Sequence, residues 1–374
     1  MSRVVERIED AAGFEKLGGE WNELLAASDS GGLFLTWEWL YTWWKHFGDG
    51  RRLCLVTVRR DGRLEAIAPL ALRPPQVTRL LPFRAVEFLG TGNVGSDYLD
   101  VIVRRGSEET AVAALADHLA RERLMLDLSQ LRRGSCVATR LAEHLVGRGW
   151  TASEAATDVC PFVHLAGHSW QSYLETLGSE HRYNLRRRLR KANERSKVRL
   201  EQAVSDEQRR EALAVLVELH NRRWRERGGS TALHTPALQA FHEELSLVAL
   251  ERGWLRLFVL RFDTTPVAAI YGFKYDRVAY FYQAGFDLAY AKQSVGLITL
   301  GLFIKSVLEE GVEECDLLHG DEGYKSHWTP QWRELARLEL YPPAARGLFY
   351  RRAVGFSRAA RRTARRVLQL GGAA

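Results

Sequence analysis

The chain has 374 residues, 46% of them apolar and 26% charged. That is the balance of a globular protein with more chain than one ordinary core takes up. Its four cysteines are scattered without a CxxC pair, which suggests neither a zinc site nor a disulfide framework and fits free thiols in a reducing cytoplasm. The net charge of +7 is unevenly placed: residues 181–199 hold nine basic residues against Glu194, and residues 346–374 hold eight arginines and no acid. The remainder carries 36 basic against 45 acidic residues, so the basic character describes two patches suited to polyanions or anionic surfaces. The N-terminal segment mixes charges and lacks an apolar h-region. No uncharged run nears the roughly 20 residues that cross a bilayer. A cytoplasmic protein is expected, peripheral on the inner membrane at most.

In chain order, the apolar spacing of Phe14, Leu17, Trp21, Leu24 and Leu25 predicts a helix over 14–27. Thr36 reads as the N-cap of a second helix, which carries Trp37, Trp39, Trp43 and Trp44 to Phe47. Core packing explains these tryptophans, and a platform for sugar rings is the alternative. A hairpin follows, 53–59 and 64–72, turned by Asp61-Gly62. Strands at 85–89 and 98–103 come next, then a helix (108–121), a strand (124–128), a helix (136–148) and a strand (151–155). The polar stretch 157–168 reads as a boundary. Beyond it, helices are expected at 170–177, 179–195, 207–227 and 236–251, and a hairpin at 255–262 and 267–275. A strand at 278–284, a loop, a helix at 295–310 and strands at 315–318 and 336–341 close the order. Leading helices, an antiparallel meander, a helix and further strands thus occur twice. The expected fold is α/β (α+β), with two tandem units, each a mixed, mainly antiparallel sheet flanked by helices. The units divide as 1–160 and 161–345, with a basic amphipathic tail at 346–374.

The most telling block is Asp316-Leu-Leu-His-Gly320-Asp321-Glu322-Gly-Tyr324-Lys325-Ser-His-Trp328. It places carboxylates, a phenol and an ammonium in a turn after a strand, the usual location for chemistry. With Phe34–Leu40 and Trp43-Trp44, Arg182–Arg190, and Ser294-Val-Gly296 opening a helix, this block resembles the tandem acetyltransferase-like proteins of the CelD/BcsL type. These have a BioF2-like acetyltransferase domain of the GNAT superfamily and are close in architecture to the Fem aminoacyltransferases. The resemblance spans most of residues 10–342. It implies two GNAT-like folds, an acyl-CoA or other acyl-thioester donor and an amine acceptor, in the setting of bacterial cell-surface polysaccharide synthesis.

In such a fold the donor pyrophosphate lies at a helix N-terminus, where backbone amides lack intrahelical partners. Gln293, Ser294, Val295 and Gly296 are the residues expected there. The pattern Gln/Arg-x-x-Gly-x-Gly/Ala departs at Ile298, whose branched side chain is expected to obstruct the phosphate.

Acyl transfer to an amine needs a base for the amine and an acid for the leaving thiolate. On an extended segment Glu322 and Tyr324 share a face, which makes Glu322 the expected base and Tyr324 the expected acid. Asp321 and Lys325 fall on the other face, to pair with each other or, for Lys325, to reach substrate. Asp316 reads as a strand cap, and His319 as a second-ranked base. Tyr282 and Gln283 on the predicted central strand, and Asp97 and Tyr98 at the end of the glycine-rich loop 90–98, are expected to meet the acceptor. A tight turn is the plain alternative for that loop.

Arg182 heads a basic helix suited to the phosphates of CoA, of a lipid-linked sugar or of tRNA. The arginine-rich tail suits anionic lipid, or the protein's own acidic body. Two rivals follow from these features. One is a Fem-like aminoacyltransferase using aminoacyl-tRNA. The other is an inactive membrane-associated binding module, a reading that the Ile298 departure favours.

Overall fold

In the computed structural model the described residues are 3–74, 85–92, 94–134, 136–225, 233, 235–320 and 322–343, with 347, 349, 351 and 352. The expectations placed on Asp321 and on most of the tail 346–374 lie outside them. The first half runs β1 (Arg3–Ile8), α1 (Ala11–Lys16), α2 (Gly18–Ala26), α3 (Trp37–Phe47), β2 (Arg52–Leu53), β3 (Leu55–Arg60), β4 (Arg63–Ala68), β5 (Leu70–Leu72), β6 (Ala85–Phe88), β7 (Ile102–Val103), α4 (Glu108–Glu122), β8 (Met125–Arg132), α5 (Val137–Val146) and β9 (Thr151–His164). The second half runs α6 (Trp170–Thr176), α7 (Ser179–Arg195), β10 (Val198–Gln202), α8 (Asp206–Arg225), α9 (Pro236–Glu251), β11 (Leu255–Phe262), β12 (Thr265–Tyr275), β13 (Val278–Phe286), α10 (Val295–Glu309), β14 (Glu314–Asp316) and β15 (Trp332–Tyr341).

Local chemistry sets many of these bounds. The Thr36 hydroxyl accepts from the Trp39 amide at 3.3 Å and starts α3 where the sequence placed it. Asp61 (φ 50°) and Gly62 (φ 83°) take the left-handed conformations that join β3 to β4. Two edge strands escape the sequence pattern. In β10 apolar residues alternate with Arg and Glu, and β1 carries Arg3, Glu6 and Arg7 among its apolar residues; charge on an edge strand guards against stray pairing.

The strands form a four-stranded sheet, β1-β3-β4-β7, and an eleven-stranded sheet, β10-β11-β12-β13-β14-β9-β15-β8-β6-β5-β2. The second sheet corrects one expectation. Residues 157–164 belong to β9, which pairs along its length with β15, from Thr151↔Tyr341 to Pro161↔Trp332. The polar residues there lie within a strand, not a linker, and the division expected at 160/161 falls inside it.

One hydrophobic core also runs through both halves, from Phe14 and Trp21 to Phe241, Phe273 and Leu340. Trp39 is its pin. Fully buried, it meets the rings of Phe34, Phe241, Phe273 and Tyr282 at centroid distances of 4.7, 5.7, 5.7 and 5.7 Å. Its indole N–H donates to Ser96 Oγ at 2.9 Å. Trp39 and Trp43 are core residues, as core packing requires. Through Trp39 the first half fixes both the 94–98 loop and β13 of the second half.

Candidate active site

The site begins where two strands part. β13 and β14 pair in parallel only from Val278↔Glu314 to Tyr280↔Asp316. β13 then continues to Phe286, while the chain after Asp316 turns to follow β9. The Leu317 amide donates to Pro161 O at 2.9 Å and the Gly320 amide to Val159 O at 3.0 Å. β13 is left with an edge that faces 317–320 without a strand partner. A bulge at Tyr282, where register passes from Tyr271↔Gln283 to Gly272↔Phe281, bends that edge. Phe281 packs toward Phe303 of α10, and Tyr282 turns to the other face against Trp39, His242 and Tyr271.

On the α10 face lies a cleft of about 490 Å³, walled by β12, β13, α7, α10 and the Tyr324–Trp328 turn. At its head Ser294 takes φ 58° and makes no side-chain cap. The first intrahelical bond of α10 runs from the Ile298 amide to Ser294 O, 3.1 Å. The amides of Val295, Gly296 and Leu297 precede it, and unpaired amides at a positive helix end attract anions. Gly296 is exposed and leaves the approach open. Arg188 reaches the same corner, its Nη1 donating to Lys292 O at 3.0 Å. His181 stacks on His327 (5.4 Å) and meets Trp328 edge-on (4.7 Å). Burial, reinforced by His327, lowers the His181 pKa.

On the opposite face the 94–98 loop of the first half meets the 316–320 turn of the second. Asp97 is fully buried and gathers four donors. They are Gln130 Nε2 (3.1 Å), the His319 amide (2.9 Å), His319 Nδ1 (2.9 Å) and the Cys160 thiol (3.7 Å). A carboxylate only accepts, so Nδ1 of His319 carries the proton there. Nε2 has no partner among the described residues, on a side chain 40% exposed. The hydrogen bond to Asp97 raises the His319 pKa against the opposing effect of burial. Gly95 backs this arrangement. A Cβ there would lie 3.5 Å from His319 Cε1 and 3.8 Å from the Tyr282 ring, and the Tyr282 hydroxyl donates to Val94 O.

Beside it Asp316, 1% exposed, accepts from the Tyr98 hydroxyl at 2.7 Å, the Leu318 amide at 2.8 Å and Arg333 Nη1 at 3.2 Å. Burial pushes the Asp316 carboxyl up to about 7. Of the eight non-glycine residues with positive φ among the described residues, Tyr98, Gln130, Ser294 and Leu318 flank these two faces. A leucine in that region is held there only by its surroundings.

These contacts revise the expected roles. Residues 323–324 form a turn and Lys325–His327 a 3₁₀ helix, so strand alternation does not sort Glu322 and Tyr324 onto one face. Glu322 is exposed and pairs with Lys325 at 2.8 Å. Lys325 itself is 4% exposed and donates to Leu318 O (3.2 Å) and His319 O (2.8 Å). It clamps the turn that carries His319 and does not face a substrate. Tyr324 lines the 490 Å³ cleft, with Ser294, Val295 and Gly296. Gln293 ends a 3₁₀ turn outside that wall. Ile298 is fully buried in a cluster with Leu260, Phe262 and Val267, so its branched side chain points away from the phosphate approach. Arg182 donates to Leu174 O and Glu175 O, both at 3.3 Å, closing the end of α6. Gln283, half-buried on β13, lines neither this cleft nor the cavity beside Asp97. Asp97, Tyr98 and Tyr282 do converge. The sequence reading undervalued His319 and Asp316, whose partners lie more than 200 residues away in the chain.

Comparison with known proteins agrees with this geometry. Residues 179–326 match the family described as Acetyltransferase (GNAT) domain. Among solved structures, the chain is similar to FemX, with a TM-score of 0.63 at 12% identity over 90% of this chain and 97% of that one. It is also similar to a conserved protein of unknown function from Bacteroides thetaiotaomicron, with a TM-score of 0.56 at 11% identity over 90% and 100%. L-PGS from Bacillus licheniformis gives a TM-score of 0.51 at 13% identity over 90% and 96%. A search of curated proteins finds no match. The family match covers residues 179–326, and over 90% of the chain the fold is similar to that of FemX.

Proposed function

We propose that the protein is an N-acyltransferase that moves an acyl group, most simply acetyl, from acyl-CoA to an amine. The resemblance to CelD/BcsL-type proteins points to an amine on a sugar intermediate of bacterial cell-surface polysaccharide synthesis. One observation carries the reading. The uncapped start of α10, with Gly296 exposed and Arg188 beside it, heads a cleft that opens where β13 and β14 part. The donor diphosphate sits on the α10 amides, and the acyl arm follows the open edge of β13.

Transfer then uses both faces of the gap. The acceptor nitrogen attacks the thioester carbonyl carbon, a C–N bond forms and the C–S bond breaks. His319 Nε2 takes the proton lost by the amine, while Asp97 holds Nδ1–H and stabilises the imidazolium. Tyr324, on the wall of the donor cleft, gives its hydroxyl proton to the departing thiolate and regains one from solvent. The base is thus His319 in place of Glu322, because Glu322 is exposed and already ion-paired.

A second reading rests on α7. His181, Asn184, Arg188, Lys191 and Arg195 recur at i, i+3, i+7, i+10 and i+14, one stripe of the helix that leads out of the cleft. Such a basic track suits the backbone of an aminoacyl-tRNA. Thermal unfolding with acetyl-CoA, longer acyl-CoAs and aminoacyl-tRNA separates the two. Saturating acyl-CoA, at about 100 times its Kd, is expected to stabilise the native state by about 2.7 kcal/mol. Protection by tRNA alone, lost between roughly 50 and 200 mM salt, would favour the second reading.

Among the described residues no helix is long and apolar enough to cross a membrane. The arginine-rich tail, residues 346–374, is proposed to touch an anionic membrane surface. Co-sedimentation with anionic vesicles, lost on deleting the tail, is the check.

A further inference from the structure

Positive charge on α7 goes largely unanswered within the protein. Of the nine basic residues from Arg182 to Arg199, only Arg190 and Arg199 have a carboxylate within ion-pair reach among the described residues, Glu194 at 3.8 Å and Glu201 at 3.5 Å. The first half treats its arginines differently. Arg3, Arg7, Arg59, Arg73, Arg104 and Arg148 each meet a carboxylate at 2.6–3.1 Å. Like charges crowded on one helix repel each other, so the counter-charge for α7 falls to a partner.

Packing fixes where this charge lies. A Cβ at Gly301 of α10 would lie 2.9 Å from Leu185, while Leu189 and Ala192 share a cluster with Val295 and Ile298. α7 thus runs antiparallel to α10, and its C-terminal end stands beside the uncapped α10 start. Arg188 lines the cleft there and donates to Lys292 O at 3.0 Å. Lys191 and Arg195 continue the Arg188 stripe outward for roughly 10 Å, and Lys197 follows. Lys292 flanks the α10 start from the other side. These four lysines and arginines are exposed, stand outside the cleft wall and pair with no carboxylate among the described residues.

That is a wider cationic surface than a nucleotide needs. CoA brings a diphosphate and a ribose phosphate, for which the α10 amides and Arg188 suffice. The outer side of α7 also carries Tyr183, 60% exposed, with the Arg187 guanidinium 5.6 Å from its ring. Tyrosine and arginine are the residues that protein interfaces favour.

We propose that α7 is the docking surface for a small acidic carrier protein, which presents the acyl thioester on a phosphopantetheine arm. The proposal rests on the thioester-donor reading and names the carrier of that donor. The phosphate of the arm takes the α10 start, the arm enters the cleft, and carboxylates of the carrier face Lys191, Arg195, Lys197 and Lys292. The bond changes stay as described: the amine nitrogen takes the acyl carbon from sulfur, and the carrier leaves as its free thiol.

The test is calorimetry on the full chain with acetyl-CoA and with a bacterial acyl carrier protein in its apo, holo and acetyl-holo forms, at about 50 and 200 mM salt. The acetyl-holo carrier is expected to bind at least ~10-fold tighter than acetyl-CoA at the lower salt, and to lose that margin at the higher. Lys191→Glu combined with Arg195→Glu is expected to weaken the carrier at least ~10-fold and acetyl-CoA no more than ~3-fold. The acetyl-CoA affinity kept by that variant shows that it is folded. Equal losses for both ligands would assign these cations to the nucleotide and overturn the proposal. Apo carrier binding as tightly as acetyl-holo carrier would overturn it as well, since the arm would then play no part. So would deacylated tRNA binding tighter than the carrier. A carrier bound no tighter than acetyl-CoA would sink the proposal and leave acyl transfer intact. Binding of neither thioester would remove the donor reading, and the proposal with it.

Discussion

Each half of the molecule follows its meander with a helix, α4 in the first and α10 in the second, and each helix leads to a strand, β8 or β14. The opening turns differ. α4 starts Ser107-Glu108-Glu109, and Ser107 is buried with its hydroxyl on Glu65 at 3.1 Å. Two carboxylates in the first turn satisfy the positive helix end and repel any phosphate. α10 starts Ser294-Val295-Gly296, with no acid and an open approach. One half thus leaves its helix start open and without acid, and the other has closed the equivalent position with its own charge. The first half serves the site differently, by lending Asp97 to the second half's His319. On the proposed acyl-transfer reading, the two halves divide the work: the second carries the donor, and the first completes the base.

The sharpest break in that division is His319→Gln, which keeps bulk but cannot shuttle the proton. The expected loss in kcat is about 10²–10⁴-fold with acyl-CoA affinity unchanged, measured by steady-state kinetics and calorimetry. Equal loss in donor binding would show that His319 is structural. Next comes Trp39→Ala, which removes the pin between the halves. Deleting a fully buried tryptophan costs about 3–5 kcal/mol, read as a fall in the denaturation midpoint. If the halves are independent, unfolding of this variant should split into two transitions.

Gly296→Glu writes the first turn of α4 into α10. A Cβ at this position makes only ordinary contact with Phe286, 3.6 Å, so the fold should tolerate it. Donor affinity is expected to fall roughly 10–100-fold, one to two steps of ~1.4 kcal/mol. An unchanged Kd would remove the comparison's central claim.

A smaller effect concerns pH. In the native state burial raises the Asp316 carboxyl from 3.8 to about 7. Between those values the folded state binds the proton more tightly than the unfolded state, so this group's contribution to stability falls as pH rises from about 4 to 7. Asp316→Asn removes that slope. The variant's thermal midpoint relative to wild type is expected to rise from pH 5 to pH 8. A difference independent of pH would mean that Asp316 is ionised throughout.

The sequence made some of this legible and hid the rest, for physical reasons. α3, α9 and β11 fall on their expected bounds because a cap, a proline and a hairpin turn are local signals. The uncapped start of α10 was also visible, as Ser294-Val-Gly296. The Asp97–His319 pair was not, since its members stand 222 residues apart and only tertiary packing, around Trp39 and along β9, brings them together. Nor does any local rule place Leu318 at φ 56°, the twist that lets the Asp316 carboxyl accept its amide and presents His319. The polar residues of β9 read as a linker because the partner strand, β15, lies at the far end of the chain.

The smallest expected effect separates the turn's two faces. Glu322 is exposed, and among the described residues it pairs with Lys325. Glu322→Gln keeps the shape and removes the charge. Lys325 retains the carbonyls of Leu318 and His319, so the turn stays closed. An exposed pair contributes only ~0–1 kcal/mol, so stability should barely move. If His319 is the base, kcat should stay within about 3-fold of wild type, since no proton passes through Glu322. A 100-fold loss in this variant, with His319→Gln nearly silent, would move the base back to Glu322 and leave Asp97–His319 as the hinge pin between the halves.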